Sequence, residues 1–173
     1  MEWTALLERE LTDTYRSAFA LIDMADDSML GWKPATGENW MAVGQLLRHL
    51  TDACGAPFKG FATGDWGLPP DFDPNELTPE QMLPPAEAMP SVGSVAEAKA
   101  LIEEDRRLAF DILAGLDDET LGTKKVSVFW DPREEVLGLQ LLHMVEHLAQ
   151  HRAQLFYYLK LLGKPVNTSH LWS

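Results

Sequence analysis

The segment Leu141–Gln154, LLHMVEHLAQHRAQ, decides how this sequence folds and what it can bind. It contains three histidines, His143, His147 and His151, each four residues after the previous one. Because four residues advance the side-chain direction of an α-helix by only about 40°, neighbouring imidazoles in this series lie one above the other on one face. Two imidazoles at that spacing can bind one metal ion, and a third ligand then has to come from another element.

The same segment carries an apolar ridge beside the histidines, which places them at the edge of a core. The ridge consists of Leu137, Leu141, Met144, Leu148, Leu155, Leu159 and Leu162. The polar stripe next to it consists of Gln140, His143, His147, His151, Gln154 and Tyr158. Polar side chains beside a core need partners or water. A metal ion would satisfy several imidazole nitrogens at once and leave each second nitrogen for another hydrogen bond.

His49 is the best candidate for the third ligand. It lies in a helix-periodic stretch, about 60° round the helix from Leu46. That position is at the margin of the apolar stripe, so the imidazole can face the edge of the core. On spacing alone, His143 with His147 is as good a pair of ligands as His147 with His151. A purely structural bundle with packed or solvated histidines is the alternative to a metal site.

Two acidic residues are close in sequence to these histidines. Asp52 follows His49 by about one helical turn, and Glu146 directly precedes His147. Either carboxylate could accept a hydrogen bond from a ligand or act as a general base. The alternative is that both are solvated charges on helix surfaces.

Length, charge and cysteine content restrict the class of protein. The 173 residues suit a single domain, 1–173, with a sizeable core. A formal net charge of -13 disfavours binding to nucleic acid or to anionic lipid, so a DNA-binding helical protein is only a distant second class. No stretch approaches the ~20 apolar residues that span a bilayer. With one cysteine, Cys54, and no secretory signal, we expect a soluble cytoplasmic protein.

Apolar periodicity predicts four helices and little strand. We expect a first helix over residues 3–26, a second from Trp40 to Cys54 capped by Asn39, and a third opened by the capping box Ser94–Glu97. The last helix is expected to begin at Asp131–Glu134 and to end at Leu162, before Gly163 and Pro165. Residues 123–130 alternate apolar and polar side chains and predict an extended strand or a small hairpin arm.

Residues 55–93 are expected to form a long connection after the second helix. Eight of the 11 prolines lie there, together with several glycines, and one short helical turn can follow Thr78. Phe58, Phe61, Trp66 and Phe72 indicate packing rather than disorder. We favour a lid over one end of the bundle, with a structural wrap as the alternative.

Three stretches of this chain resemble a known family. They are Leu30–Pro34 (LGWKP), Trp40–Leu50 (WMAVGQLLRHL) and Glu146–Gln154 (EHLAQHRAQ). They are similar to motifs of the DinB-like superfamily, which includes damage-inducible DinB proteins and thiol-dependent transferases. The resemblance spans most of the chain, as far as Gly163. The sequence departs from the commoner pattern at Ala153, where Gly is frequent, and at Glu146, where Asn is frequent.

The resemblance implies an all-α four-helix bundle with up-down-down-up connectivity, often dimeric. It also implies a divalent metal, commonly nickel or zinc, held by one histidine of the second helix and two of the last. Matched by position, these ligands are His49, His147 and His151. His143 lies outside the set, where it is a neighbour, a substrate contact or a packed residue.

Three neutral imidazoles leave a divalent ion with a positive charge and free coordination positions. Such an ion can activate water for hydrolysis, or it can bind a low-molecular-weight thiol as thiolate and direct it at an electrophile. The family's transferases suggest the second role, and a small molecule is the expected substrate. We therefore expect a metal-dependent thiol transferase or hydrolase, with a non-catalytic metal-binding stress-response protein as the alternative. A homodimer is expected mainly from the resemblance.

Overall fold

The computed structural model describes residues 2–69, 77–78, 84–128 and 131–172. The helices among these residues are α1 (Trp3–Ile22), α2 (Val43–Leu50), α3 (Gly55–Thr63), α4 (Val95–Ala114), α5 (Asp118–Thr123) and α6 (Leu137–Leu161). An antiparallel hairpin of β1 (Lys125–Val128) and β2 (Asp131–Val136) precedes α6. Short 3-10 turns occupy Asp27–Met29, Ala86–Ala88 and Thr168–Leu171. The chain is mostly helical, as expected, with this one small sheet.

The core lies where the long helices pack on one another. Helix α6 contacts α1, α2, α3 and α5, and helix α4 contacts α1, α2 and α3. The apolar stripe expected on α1 is buried, with Leu7, Leu11 and Ile22 each fully inaccessible. Most of the ridge expected on α6 is buried too, while Met144 and Leu162 are partly buried against it. In the described part of the chain, no helix is long and apolar enough to cross a membrane.

Helix α2 is shorter than predicted and begins without the expected cap. Asn39 adopts a left-handed backbone conformation, φ 59°, and its Oδ1 accepts a hydrogen bond from the Ala86 amide. The first amides of α2 are satisfied by loop carbonyls instead, because Val43 N donates to Trp32 O and Gly44 N to Leu30 O. The helix therefore starts at Val43 and ends at Leu50, just after it has presented His49.

The expected long connection starts with a helix. Residues Gly55–Thr63 form α3, which packs on α4 and α6, so the interpretation of these nine residues as part of the connection is wrong. Pro57 is tolerated because it stands in the first turn, where a backbone N–H has no intrahelical partner. Gly64 ends the helix with φ 80°. Near the far end of the segment, Gln45 Nε2 donates to the carbonyls of Ala86 and Met89. The turn expected after Thr78 and the aromatic residue Phe72 lie outside the described residues.

The start of the last helix was predicted too early. Residues Asp131–Glu134 lie in β2, which pairs with β1 in the register Lys125↔Val136 and Val128↔Asp131. The hairpin expected at 123–130 is thus present, although residues 129–130 lie outside the described part. Leu137 N donates to Lys124 O at 2.8 Å, and α6 begins there. Half of the predicted capping box of α4 is present: Ser94 Oγ accepts from Glu97 N, whereas Glu97 Oε2 accepts from the amide of Gly93 and not from that of Ser94.

Candidate metal centre

Three imidazoles from two distant helices meet at one point. His49 is on α2, and His147 and His151 are one turn apart on α6. His49 Nε2 lies 3.3 Å from His147 Nε2 and 3.0 Å from His151 Nε2, and the last two atoms are 3.1 Å apart. All three side chains are half-buried. Among the described residues, these three histidines form the group whose donor atoms could share one metal ion.

The ring of His147 is oriented by the backbone. Its Nδ1 lies 3.1 Å from the carbonyl oxygen of Ala53, in the loop between α2 and α3. A carbonyl can only accept a hydrogen bond, so Nδ1 carries the proton and donates it. In the neutral ring, Nε2 is then left with its lone pair, and this is the atom that faces the other two histidines.

The ring of His151 is oriented by a chain of hydrogen bonds that ends on another carbonyl. Tyr158 Oη donates to Met41 O at 3.0 Å, and it therefore accepts from Gln154 Nε2 at 3.1 Å. This fixes the amide of Gln154 with its Oε1 towards His151 Nδ1, 3.2 Å away. His151 Nδ1 donates to that oxygen, so its Nε2 also carries a lone pair at the centre. Trp32 supports Tyr158 by an edge contact, with ring centroids 5.3 Å apart.

His49 differs from the other two histidines because no hydrogen bond to its Nδ1 is found within the described residues. Burial, followed by the proximity of His151 and His147, lowers the pKa of His49 to about 4. Burial and the nearby His147 also lower the pKa of His151. Both rings are therefore neutral near pH 7, the state in which imidazole binds a metal.

The three nitrogens fit the face of a metal coordination polyhedron. With a metal–nitrogen bond of about 2.1 Å, separations of 3.0–3.3 Å correspond to angles of about 90–105° at the metal. The lone pairs of His147 Nε2 and His151 Nε2, 3.1 Å apart, repel one another, and a cation between the three rings removes that repulsion. The hydrogen bonds on His147 Nδ1 and His151 Nδ1 are the supporting contacts that metal-bound histidines usually make. The donor set therefore fits a divalent cation such as zinc or nickel.

The other residues singled out from the sequence lie outside this group. His143 is on α6 but exposed, and Glu146 is exposed as well. Asp52 Oδ2 accepts a hydrogen bond from Arg48 on its own turn, and burial raises the pKa of Asp52. Within the described residues, neither acid forms a hydrogen bond to an imidazole. Cys54 is fully buried, as expected for a core thiol.

Two important partners of the site were not found from the sequence, because both are backbone carbonyls. Ala53 O and Met41 O orient His147 and, through Tyr158, His151. A carbonyl carries no residue-type signal. The polar stripe on α6 did contain the signal for the side-chain part of the second chain, since Gln154 and Tyr158 follow His151 at spacings of three and seven residues.

Fold and site together define a class: a mostly helical protein with a candidate three-histidine metal centre between α2 and α6. A family model described as the DinB superfamily matches residues 10–155, and the chain belongs to that superfamily. The matched range includes His49, His147 and His151. Comparisons with curated proteins and with solved structures give no significant match.

Proposed function

We propose that this protein binds a divalent metal ion through His49, His147 and His151 and uses it as an enzyme, in thiol transfer to an electrophile or in hydrolysis. The convergence of three Nε2 atoms within 3.3 Å supports the proposal most directly. Membership of the DinB superfamily is compatible with it. Nickel and zinc are the metals we expect, since both accept imidazole ligands readily.

A divalent cation in this position supplies a Lewis acid with free positions for water, a thiolate or a carbonyl oxygen. The role of the chain is to hold three neutral donors in a fixed arrangement. The Ala53 carbonyl and the Gln154 amide keep the protons of His147 and His151 on Nδ1. Low pKa values keep His49 and His151 unprotonated at neutral pH. In this proposal His143, Glu146 and Asp52 are candidates for contacting a substrate or a low-molecular-weight thiol.

Metal analysis of protein purified without an affinity tag tests the proposed site. We expect about one equivalent of divalent metal in the wild type and a large loss in His49→Ala and His147→Ala. The matched control is His143→Ala, which removes an exposed histidine of the same helix. Metal content that is negligible in the wild type, or that falls as much in His143→Ala as in His147→Ala, would contradict the proposal.

Activity assays test the enzymatic part. The metal-loaded wild type is incubated with low-molecular-weight thiols plus electrophiles, and separately with ester and amide substrates. We expect turnover in one panel that His151→Ala abolishes, while Tyr157→Phe, which changes an exposed side chain of the same helix, retains it. Stoichiometric metal with no turnover in either panel would instead favour a non-catalytic metal-binding protein.

We also propose that α1, α4, α6 and the consecutive pair α2–α3 act as the four rods of an up-down-down-up bundle. The packing of α6 on α1, α2 and α3, and of α4 on α1, α2 and α3, supports this arrangement. A homodimer is a further part of the proposal. The last helix carries apolar residues outside its main ridge, at Leu139, Leu142, Val145 and Phe156. They give the dimer little support, because Val145 and Phe156 are buried within a single chain. Light scattering at micromolar concentration tests the dimer, and a monomer mass would contradict it.

A further inference from the structure

A buried carboxylate lies behind the backbone that orients His147. Asp105, on α4, is only 5% exposed, and in the described part of the chain it is the one acidic residue classed as buried. Its side chain occupies the apolar stripe of α4, between Ile102 and Ala109, which are both fully buried. Burying a carboxylate costs free energy unless hydrogen bonds compensate, so its contacts are expected to serve a purpose beyond filling the core.

Asp105 connects two helices to α4. Its Oδ2 accepts a hydrogen bond from Tyr15 Oη on α1 at 2.7 Å. Its Oδ1 accepts one from the amide of Ala56, in the first turn of α3, at 3.1 Å. Burial raises the pKa of this carboxyl group, and its hydrogen bonds oppose that rise. The carboxylate thus faces the beginning of α3, where backbone N–H groups lack intrahelical partners.

The beginning of α3 can approach α4 this closely only because residue 55 is glycine. A Cβ atom built on Gly55 would lie 2.1 Å from the backbone oxygen of Asp105 and 2.7 Å from its Oδ1. Two residues before Gly55, the carbonyl of Ala53 meets His147 Nδ1. The Asp105 carboxylate accepts a hydrogen bond from Ala56. It therefore also restrains the adjoining backbone that carries the Ala53 carbonyl.

We propose that Asp105 is a positioning residue of the metal centre: through the backbone of Ala53–Ala56, it holds the Ala53 carbonyl against His147 Nδ1 and thereby fixes the proton of His147 on Nδ1. The inference rests on the proposed function only in its consequence for metal affinity. The orientation of His147 is a property of the metal-free chain and can be measured without any ligand.

The experiment compares the tautomer of His147 and the metal affinity in four variants. Asp105→Leu keeps the branched shape but removes both acceptors, and Gly55→Ala pushes the same backbone away from Asp105. Asp105→Asn retains one oxygen for the Ala56 amide and is the conservative rescue. Ile102→Val is the matched control, because it perturbs the same buried face of α4 without touching this network.

Long-range proton–nitrogen NMR correlations of the metal-free protein report which ring nitrogen of His147 carries the proton. We expect the Nδ1–H tautomer in the wild type, in Ile102→Val and in Asp105→Asn. In Asp105→Leu and Gly55→Ala we expect a mixture of tautomers. Competition with a chromophoric chelator for zinc should give about tenfold or more weaker binding in the same two variants. A role in stability alone would lower the melting temperature and leave the tautomer unchanged.

The inference is overturned if the Nδ1–H tautomer persists in the folded Asp105→Leu and Gly55→Ala variants. If Asp105→Leu does not fold, Gly55→Ala decides the outcome. A wild type that binds no zinc would refute the proposed function. The tautomer comparison would still decide whether Asp105 orients His147.

Discussion

At the scale of single residues, the candidate site depends on which ring nitrogen carries the proton in His147 and in His151. The lone pairs of His147 and His151 point at the centre because each ring donates its Nδ1 proton to a fixed oxygen. Neither fixed oxygen belongs to an acid. The orientation of the ligands therefore rests on neutral hydrogen bonds, and small changes in their partners should be visible in metal affinity.

Tyr158→Phe should weaken metal binding by about tenfold. Without the hydroxyl, Gln154 Nε2 loses its acceptor, its amide is free to rotate, and His151 Nδ1 no longer faces a fixed oxygen. Chelator competition measures the affinity. Tyr157→Phe is the control, because Tyr157 is the preceding residue on the helix and its side chain is 60% exposed. Equal affinities in the two variants would contradict the role assigned to the Tyr158 hydroxyl.

The metal-free protein should lose stability as the pH falls from about 6.5 to about 4. The pKa of His49 is about 4 in the folded chain, and that of His151 is lowered too, whereas unfolded histidine titrates near 6.5. In that window the unfolded chain binds more protons, so the free energy of unfolding decreases with acid.

Urea unfolding of the wild type beside His49→Gln isolates this contribution, since the carboxylates are common to both chains. The advantage of the wild type over the variant should shrink as the pH falls through the window. His143→Ala is the control and should follow the wild type. A difference between wild type and His49→Gln that is constant with pH would show that His49 is not desolvated as described.

At the scale of elements, the site is assembled by the short helices α2 and α3 against the long helix α6. Helix α2 presents His49, and the loop after it presents the Ala53 carbonyl. The close approach of α3 to α4 at Gly55 holds that loop in place. The two ends of α2 are thus fixed by different parts of the molecule, the Leu30–Trp32 loop at its start and α3 beyond its end.

Gly55→Ala should destabilise the fold by roughly 2 kcal/mol or more, because its Cβ would overlap backbone rather than a movable side chain. Thermal and urea unfolding measure the loss. Gly122→Ala in α5 is the control: its Cβ would lie 3.5 Å from Trp3 Nε1, an ordinary contact, and Ala favours helix. Equal stability of the two variants would contradict the close contact between α3 and α4 at Gly55.

The elements that could be predicted from the sequence are those in which the apolar residues recur at helical spacing and are also the residues that are buried. Helix α1 and the body of α6 are of this kind, and Ser94 as the predicted cap correctly placed the start of α4. Helix α3 was missed because Pro57 and the glycines around it are residues that usually interrupt helices. Packing on α4 and α6 stabilises the helical conformation of this segment. Residues Asp131–Glu134 have the composition of a helix start but pair with β1 instead.

The candidate site was predictable in its side chains and not in its supporting contacts. The four-residue spacing fixed His147 and His151 on one face of α6, and the marginal position of His49 made it a plausible third partner. Whether His49 meets His143 and His147 or His147 and His151 depends on how α2 packs against α6. Spacing within one helix does not determine that packing. The sequence did contain a sign that Asp105 is buried. This charged residue lies on the same helix face as the apolar residues Ile102 and Ala109.

At the scale of the whole molecule, the cluster joins parts of the chain that are far apart in sequence. His49 and His147 are separated by 98 positions, and His49 and His151 by 102. Bound zinc or nickel should therefore raise the melting temperature, because it binds the folded arrangement and not the open chain. At about one hundred times the dissociation constant the gain is about 2.7 kcal/mol.

Thermal unfolding with added zinc, and again after a chelator, measures this gain. His49→Ala should abolish it, since a pair on one helix no longer links two elements, while His143→Ala should preserve it. An equal shift in wild type and His49→Ala would place the bound metal elsewhere on this acidic chain.

The three imidazoles of the candidate centre are not equally supported. The rings of His147 and His151 lie on one long helix, and a hydrogen bond at Nδ1 locks the orientation of each. His49, whose second nitrogen has no such lock within the described residues, stands on an eight-residue helix. In the proposed site, the direction in which His49 faces therefore depends on the packing of α2 alone, and a substitution that shifts this helix should reach the metal through that one imidazole.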